Sequence, residues 1–436
     1  MTIIPSSSLK CNPQLEINDQ AGTLSNDGGL PLIKEFMVRS NFERLLKEQL
    51  SVDKRPHVQH SYYDLTLQVL LQLIAGYSQD AVSNHLKDNQ LFRSLLGKPL
   101  ASQPTLSRFL NASGEALTEG LRQTNLHLIA QYYKTRAIKT LVIDIDTTHY
   151  DTYGHQERAD YNSHYGTLGY QPLLAYDAGT GLCLKSELRN GSTYSSNAID
   201  EFLTPLFDEL KVMGFETLLV RGDSGFASPK LYECCEKAGV YYVIRLKNNA
   251  ILKELGSAYQ VLSAFEDVTQ TVEHVDALEY KAKSWTRPRT VIGMQKRKAG
   301  ELFFSESMYI VTNMETQAMT LKTIVEIYRK RGNMENYIKE SKLGYFMDKT
   351  DSSSFSANAL RMTLSMLAYN LMTLLKLCVL PNSLKNCTIS TLRVRLIKIA
   401  VKVVHHSRQL CVKMDSTFVY LSDYFESFER LFQFSF

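Results

Sequence analysis

Apolar and polar positions divide the 436-residue chain into helical and strand-like stretches. From Asp64 to about Asn111 the texture is helical: Leu65, Val69, Leu70, Leu73 and Ile74 make one apolar stripe, and Gly76 stands where a left-handed residue would close the helix. Ser102-Gln-Pro104 reads as a further helix start, with Ser102 or Gln103 at the cap and Pro104 in the first turn. After Lys139 the pattern changes to a β-branched apolar run, Thr140 to Thr148, that ends in carboxylates as a buried strand would. Tyr170 to Tyr176 and Leu182 to Leu188 are two more strands, joined by a glycine-bearing turn, and with the first they predict an antiparallel meander. A helix from about Asn197 to Met213, a strand from Thr217 to Asp223, a helix from Pro229 to Ala238 and a strand from Val240 to Arg245 continue the alternation.

From Asn248 to about Asn313 that alternation breaks down, and short β-type runs such as Thr290 to Gly293 and Leu302 to Phe304 predict an inserted β-rich region. Met308 to Thr312 returns as a strand, a helix from about Gln317 carries Glu335, and Ser356 to Leu377 is a second long helix. In the tail Arg393, Arg395, Lys398 and Lys402 alternate with Ile and Val, a pattern whose periodicity separates neither strand from helix. Phe418, Leu421, Phe425, Phe428 and Phe432 recur at alternating spacings of three and four, an apolar stripe expected to bury against its own domain.

Composition bounds the class. With 44% hydrophobic and 22% charged residues the chain falls among soluble globular proteins, and its length calls for more than one domain. A formal charge of +4 permits nucleic-acid binding without demanding it. The seven cysteines are scattered and odd in number, which indicates neither a disulfide framework nor a zinc site. The start lacks a basic flank and apolar run, and no window approaches 18 apolar residues, so a cytoplasmic protein without membrane association is expected.

Candidate chemistry lies in three places. Asp144 and Asp146, two apart, share one face of a buried strand, where two acids cost free energy unless paired or metal-bound. Asp223 ends the second apolar strand, with Gly222 and Gly225 leaving room for a close approach. Within Tyr328 to Lys342, read as one helix, Tyr328, Arg331, Glu335 and Lys342 would fall within about 60° of one another around the axis, a carboxylate framed by cations. An ordinary solvated face with an i, i+4 ion pair has the same pattern.

Tyr, two residues, Arg, three, Glu, six, Lys resembles the signature of DDE transposases from bacterial insertion sequences, in the group with a β-rich insertion before the last catalytic acid. In that family the first catalytic aspartate leads a triplet like Asp146-Thr147-Thr148, with Asp144 as the reserve. The resemblance implies an α/β, ribonuclease-H-like core whose catalytic and metal-binding acids are Asp146, Asp223 and Glu335. It implies DNA contacts by Tyr328, Arg331 and Lys342, by an N-terminal helix bearing Arg108, and by the insertion through Trp285, Arg287 and Arg289. The sole tryptophan would stack on a flipped base, as in family members that make hairpin ends.

Five regions follow: a mainly helical DNA-binding region 1–135, the first part of the core 136–247, the insertion 248–313, the second part of the core 314–380 and a basic, helical region 381–436. Three converging carboxylates call for divalent cations, here two Mg²⁺ ions with Mn²⁺ as a substitute. The expected partners are double-stranded DNA, as terminal inverted repeats and target, and a second copy in a synaptic homodimer; the expected place is the bacterial nucleoid. Two other classes are a domesticated, non-catalytic DNA-binding or regulatory descendant, and a stand-alone ribonuclease-H-type nuclease. The acids argue against the first and the flanking domains against the second.

Overall fold

In the computed structural model the two aspartate-bearing strands lie side by side in an eight-stranded mixed sheet. The structure describes residues 3–4, 10–12, 14–15, 17–50, 58–112, 114–252, 254, 267–302, 304, 306–315, 319–406 and 409–436. The chain forms two compact units, one of residues 1–124, 343–347 and 363–436, the other of residues 125–342 and 348–362.

The sheet belongs to the second unit. Its strands are β1 (Thr140–Thr147), β2 (Leu173–Asp177), β3 (Cys183–Glu187), β4 (Thr217–Gly222), β5 (Tyr241–Leu246), β6 (Val272–Tyr280), β7 (Arg289–Arg297) and β8 (Glu306–Thr312), in the spatial order β6-β7-β8-β5-β4-β1-β2-β3. β4 runs parallel to β1 and β5 on either side, and every other pairing is antiparallel. The expected meander is β1-β2-β3. The helices between strands are α1 (Ile199–Val212) and α2 (Pro229–Ala238), close to their expected bounds.

Alternation along β5 sorts the helices onto opposite faces. Val243 packs with Leu219, Ile292 and Ile310 beneath Ile324 and Val325 of α3 (Leu321–Arg329), while Tyr242 stacks on Tyr232 of α2 with ring centroids 5.2 Å apart. Val142, Asp144 and Asp146 of β1 share a face, and Val142 packs against the α3 cluster. The acids therefore lie on the α3 side.

The β-rich insertion supplies β6 and β7, which extend the central sheet through β8. Two expectations change. Of the run Leu302 to Phe304, Leu302 is outside any strand and Phe303 lies outside the described residues, as does the expected helix start at Gln317. Finally, Tyr328 to Lys342 is not one helix. Lys330–Gly332 forms a 3₁₀ turn between α3 and α4 (Asn333–Tyr345). At three residues per turn instead of 3.6, three such residues advance the helical phase by about 60°. The motif is thereby divided between two helices, with Arg331 in the turn that joins them.

The first unit combines N-terminal helices with C-terminal elements, although the sequence reads regions 1–135 and 381–436 apart. Helix Tyr62–Ala75 starts in a capping box between Ser61 and Asp64 and ends at Gly76 with φ +94°, where only glycine is unstrained. Arg393 donates to the carbonyls of Leu73 (2.8 Å) and Ile74 (2.9 Å), supplying partners at a helix end where intrahelical donors run out. It sits in a π-helical turn, Arg393–Ile397, that leads to the strand pair Val401–His406 and Gln409–Met414. Other basic residues of the tail are likewise used internally, Arg395 on Asp423 and Lys398 on Asp27, both at 2.6 Å. The aromatic stripe is displaced: helix Leu421–Gln433 buries Tyr424, Ser427 and Leu431 and leaves Phe425 and Phe432 exposed.

Candidate active site

The register of β1 on β4 pairs Asp144 with Arg221 and carries Asp146 and Asp223 to the same end of the sheet. Both strands have a charged residue two positions before the terminal acid, and the two inner charges neutralise one another. Arg221 donates Nε and Nη2 to the two carboxylate oxygens of Asp144, both at 2.6 Å, with the pair almost wholly buried. Burial pushes the Asp144 carboxyl upward and Arg221 pulls against it. Asp144, the reserve ligand, is thus committed to an internal ion pair.

Asp146 and Asp223 line one cleft of about 440 Å³ with Thr147, Ser195, Gly225 and Lys247. Asp146 accepts from the Thr147 amide at 2.9 Å, and Asp223 accepts from the Gly225 amide at 2.8 Å. Gly225 has a spatial reason to be glycine, since a Cβ there would lie 3.0 Å from the Asp223 carboxylate and 3.1 Å from Ser195 Oγ. Burial, opposed by Arg331 and aided by the Asp223 charge, pushes the Asp146 carboxyl up to about 6.

Arg331 stands against this pair. Its Nη2 is 2.9 Å from Asp146 Oδ2 and 3.3 Å from the Ile145 carbonyl, and only 11% of the side chain is exposed. Burial opposes its charge, but the Asp146 and Asp223 carboxylates outweigh that and hold the guanidinium ionised. Tyr328 is buried in the α3 cluster, its phenol pushed up by burial. Lys342 donates to the His149 carbonyl at 2.9 Å and lies 5.6 Å from the Tyr150 ring centroid, bracing the segment just after Asp146. Glu335, in the first turn of α4, is exposed and does not line the cleft.

Among the described residues no group of three or more His, Cys, Asp or Glu side chains is arranged to hold a metal ion. The donor set fits a divalent cation in part. Asp146 and Asp223 are oxygen donors on one cleft, and the raised Asp146 carboxyl shows how poorly the pair tolerates its own charge, which a cation would relieve. Glu335 is not with them.

The remaining residues singled out in the sequence lie elsewhere. Trp285 is a core residue at 6% exposure, edge-on to Tyr232 and Tyr280 with centroids 5.4 Å from each, and under the Arg289 guanidinium. Its face is covered by protein, so the base-stacking expectation has no surface to act through. Arg289 is buried in a two-point pair with Glu236, and Arg287 reaches the same carboxylate at 2.8 Å from an exposed position. Arg108 is exposed on helix Gln103–Ala112 of the first unit, donating to its own helix at Pro104 and Thr105.

Two contributors escaped the sequence reading. Arg221 had a signal, a charge inside an apolar strand that must find a partner. Arg189 had none: it is buried and its guanidinium donates to the carbonyls of Gln171, Ser195 and Asn197, fixing the cleft wall, while burial lowers its pKa to about 10.

A family model described as "Transposase DDE domain group 1" matches residues 7–435. Comparison with curated proteins finds no match. Among solved structures the chain is similar to the piggyBac transposase in a synaptic complex with hairpin DNA, at 12% identity and a TM-score of 0.46, covering 85% of this chain and 80% of that one. It is also similar to the Mos1 transposase in a paired-end complex with the left transposon end, at 14% identity and a TM-score of 0.18 over 42% of this chain and 63% of that one. The Mos1 mariner paired-end complex with Mn gives 14% identity, a TM-score of 0.19, and coverage of 54% and 81%.

Proposed function

The chain belongs to the DDE-domain transposases of group 1, and from that premise we propose that it cuts DNA at the ends of its mobile element and joins the freed 3′-hydroxyls to target DNA. The reading adds that the element ends are terminal inverted repeats, that two copies act together, and that the β1-β2-β3-α1-β4-α2-β5 succession is a ribonuclease-H-like core. One observation supports it above the others: Asp146 and Asp223, from the ends of adjacent parallel strands, share one cleft in which the first carboxyl is pushed up to about 6.

Asp146 and Asp223 are the residues that would hold a divalent metal, Mg²⁺ with Mn²⁺ as a substitute; when bound, it polarises the phosphodiester and activates the attacking oxygen. The chain's own residues do the rest. Arg331, held charged beside the pair, offsets the two carboxylates and would hold a non-bridging phosphate oxygen by its planar fork. Arg189 and Gly225 keep the cleft wall and the Asp223 carboxylate in position. Lys342, through His149, braces the chain beyond Asp146. Glu335 enters as the third acid on the family motif alone.

The test is excision from a supercoiled plasmid carrying the DNA that flanks the gene. Wild-type protein is expected to release the element in Mg²⁺, and Asp146→Asn and Asp223→Asn each to abolish release while binding the ends, since affinity rests on phosphate contacts elsewhere. Wild-type excision by Asp146→Asn would overturn the site. Glu335→Gln is run separately, and full activity there removes Glu335 from the site without touching the aspartates.

A further inference from the structure

Of the four basic residues that alternate with Ile and Val in the tail, Arg393, Arg395 and Lys398 have partners within the first unit, whereas the Lys402 amine enters no ion pair among the described residues. Lys402 stands on strand Val401–His406, the middle strand of a three-stranded sheet between Gln409–Met414 and Leu24–Ser25. Val401 and Val403 are buried on the inner face, so Lys402 points outward and is exposed. The residue in register with it on the next strand is Lys413, also exposed. Residues directly opposite share a face with Cβ atoms about 5 Å apart, and like charges there weaken the pairing. Two lysines facing one another are a local cost that needs a reason.

Edge protection accounts for only one of them. A lysine on an edge strand discourages pairing with other chains, and Gln409–Met414 is an edge strand. Lys402 is in the middle strand, with Leu24 in register on its other side, so that reason does not reach it. Carboxylates do not account for it either. The two strands contain no acid, and Asp415, which follows them, accepts from the amide (2.9 Å) and the hydroxyl (2.7 Å) of Thr417. Further along the same face His406 stands opposite Gln409, both exposed, and each can donate a hydrogen bond. The Lys402 stem runs close over Gly22, where a Cβ would lie 3.4 Å from its Cε and 3.7 Å from its Nζ. A stem laid against backbone, with its head in water, has less freedom to lose when an anion binds.

We infer that the outer face of this sheet, headed by Lys402 and Lys413, is a docking surface for the phosphate backbone of duplex DNA. The inference rests on the reading of the chain as a DNA-cutting enzyme, and it assigns part of the DNA affinity to a different compact unit from the one that holds the aspartates. A polyanion takes both amines at once, so the charge that weakens the strand pair in the free protein becomes the attraction in the complex. Released counterions make that attraction salt-dependent, and phosphate contacts of this kind position the duplex without reading its sequence.

The experiment measures binding of the full chain to a fluorescent duplex of the DNA that flanks the gene, in EDTA so that nothing is cut, over a range of salt concentrations. Lys402→Ala and Lys413→Ala are each expected to make the slope of log affinity against log salt shallower by about one unit, and the double variant by about two, while Lys402→Arg keeps the wild-type slope. Lys402→Glu separates binding from structure. Its carboxylate faces Lys413, so Tm should rise while DNA binding falls. A wild-type slope in the double alanine variant overturns the surface, and so does a loss of affinity with the slope unchanged, which marks a structural role. Binding of polyglutamate that disappears in the double alanine variant, with the duplex slope unaffected, assigns the face to an acidic protein and overturns it too. Failure of the cleavage reading looks different, because Asp146→Asn would then excise as wild type does whatever the slopes.

Discussion

At the residue scale the site is a contest between burial and charge, and Asp146 records the balance. Its carboxyl, pushed up to about 6 from an ordinary value of 3.8, binds a proton more readily in the folded chain than in the unfolded one. Between those two values the native state therefore holds more protons, so stability falls as pH rises through the window and the cost is fully present above the folded value. Asp146→Asn removes that cost. Urea unfolding should find the variant more stable than wild type at pH 8, by about 1–3 kcal/mol, and the two should converge near pH 4; a difference that grows on acidification contradicts the assignment. Asp144 and Arg221 give the opposite case. Deleting either partner, as Asp144→Ala or Arg221→Ala, leaves a buried charge alone and should cost about 3–5 kcal/mol. Replacing both with apolar residues of matching volume should cost less than either single change, which a double-mutant cycle in urea measures.

At the element scale the 3₁₀ turn at Lys330–Gly332 divides the motif between two helices. Tyr328 and Arg331 fall on the sheet side, both largely buried, whereas Glu335, in the first turn of α4, is exposed. A Cβ at Gly332 would meet nothing within 4 Å, and its φ lies outside the left-handed region. Gly332→Ala should therefore stabilise the chain by about 0.4–1 kcal/mol through the unfolded state, seen as a small rise in Tm. Trp285 belongs to another element contact, where the start of β7 meets α2. Trp285→Ala should open a cavity between Tyr232 and Tyr280 and cost about 3–5 kcal/mol, with Trp285→Phe costing less. DNA affinity measured well below the melting temperature should stay at the wild-type value; a selective loss of binding with unchanged melting would restore the stacking role.

At the scale of the whole molecule the chain closes on itself within its first unit. Gly28 and Gly29 donate to the carbonyls of Ile399 and Ile397, and a Cβ at Gly29 would sit 1.6 Å from the Leu396 carbonyl oxygen. The N-terminal helices are therefore completed by residues nearly four hundred positions later. Arg393→Ala deletes a charged donor from three helix-end carbonyls, those of Leu73, Ile74 and Gly344, and should destabilise this unit by about 2–4 kcal/mol. Truncation at residue 381 removes that donor together with the Ile397 and Ile399 carbonyls. Limited proteolysis should then cut within helices Leu30–Arg39 and Tyr62–Ala75 at rates set by their opening.

The sequence by itself determined the local elements and the strand ends at which the two aspartates stand. Strand, helix and cap signals act over a few residues, so the meander β1-β2-β3, the bounds of α2, the closing Gly76 and the acids at the ends of β1 and β4 were legible. The family motif was legible for the same reason, being a spacing along one chain. What only the tertiary structure decided were partners far apart in sequence: Asp144 with Arg221, Arg331 with Asp146, Trp285 among tyrosines, and Arg393 on the end of a distant helix. A charge run reads alike on a solvated face and at a buried pair, because burial is settled by what packs against it and not by its neighbours in sequence. The break in the motif helix escaped for a related reason. A three-residue 3₁₀ turn costs little locally and is selected by the packing of α3 on the sheet, which no spacing along the chain records.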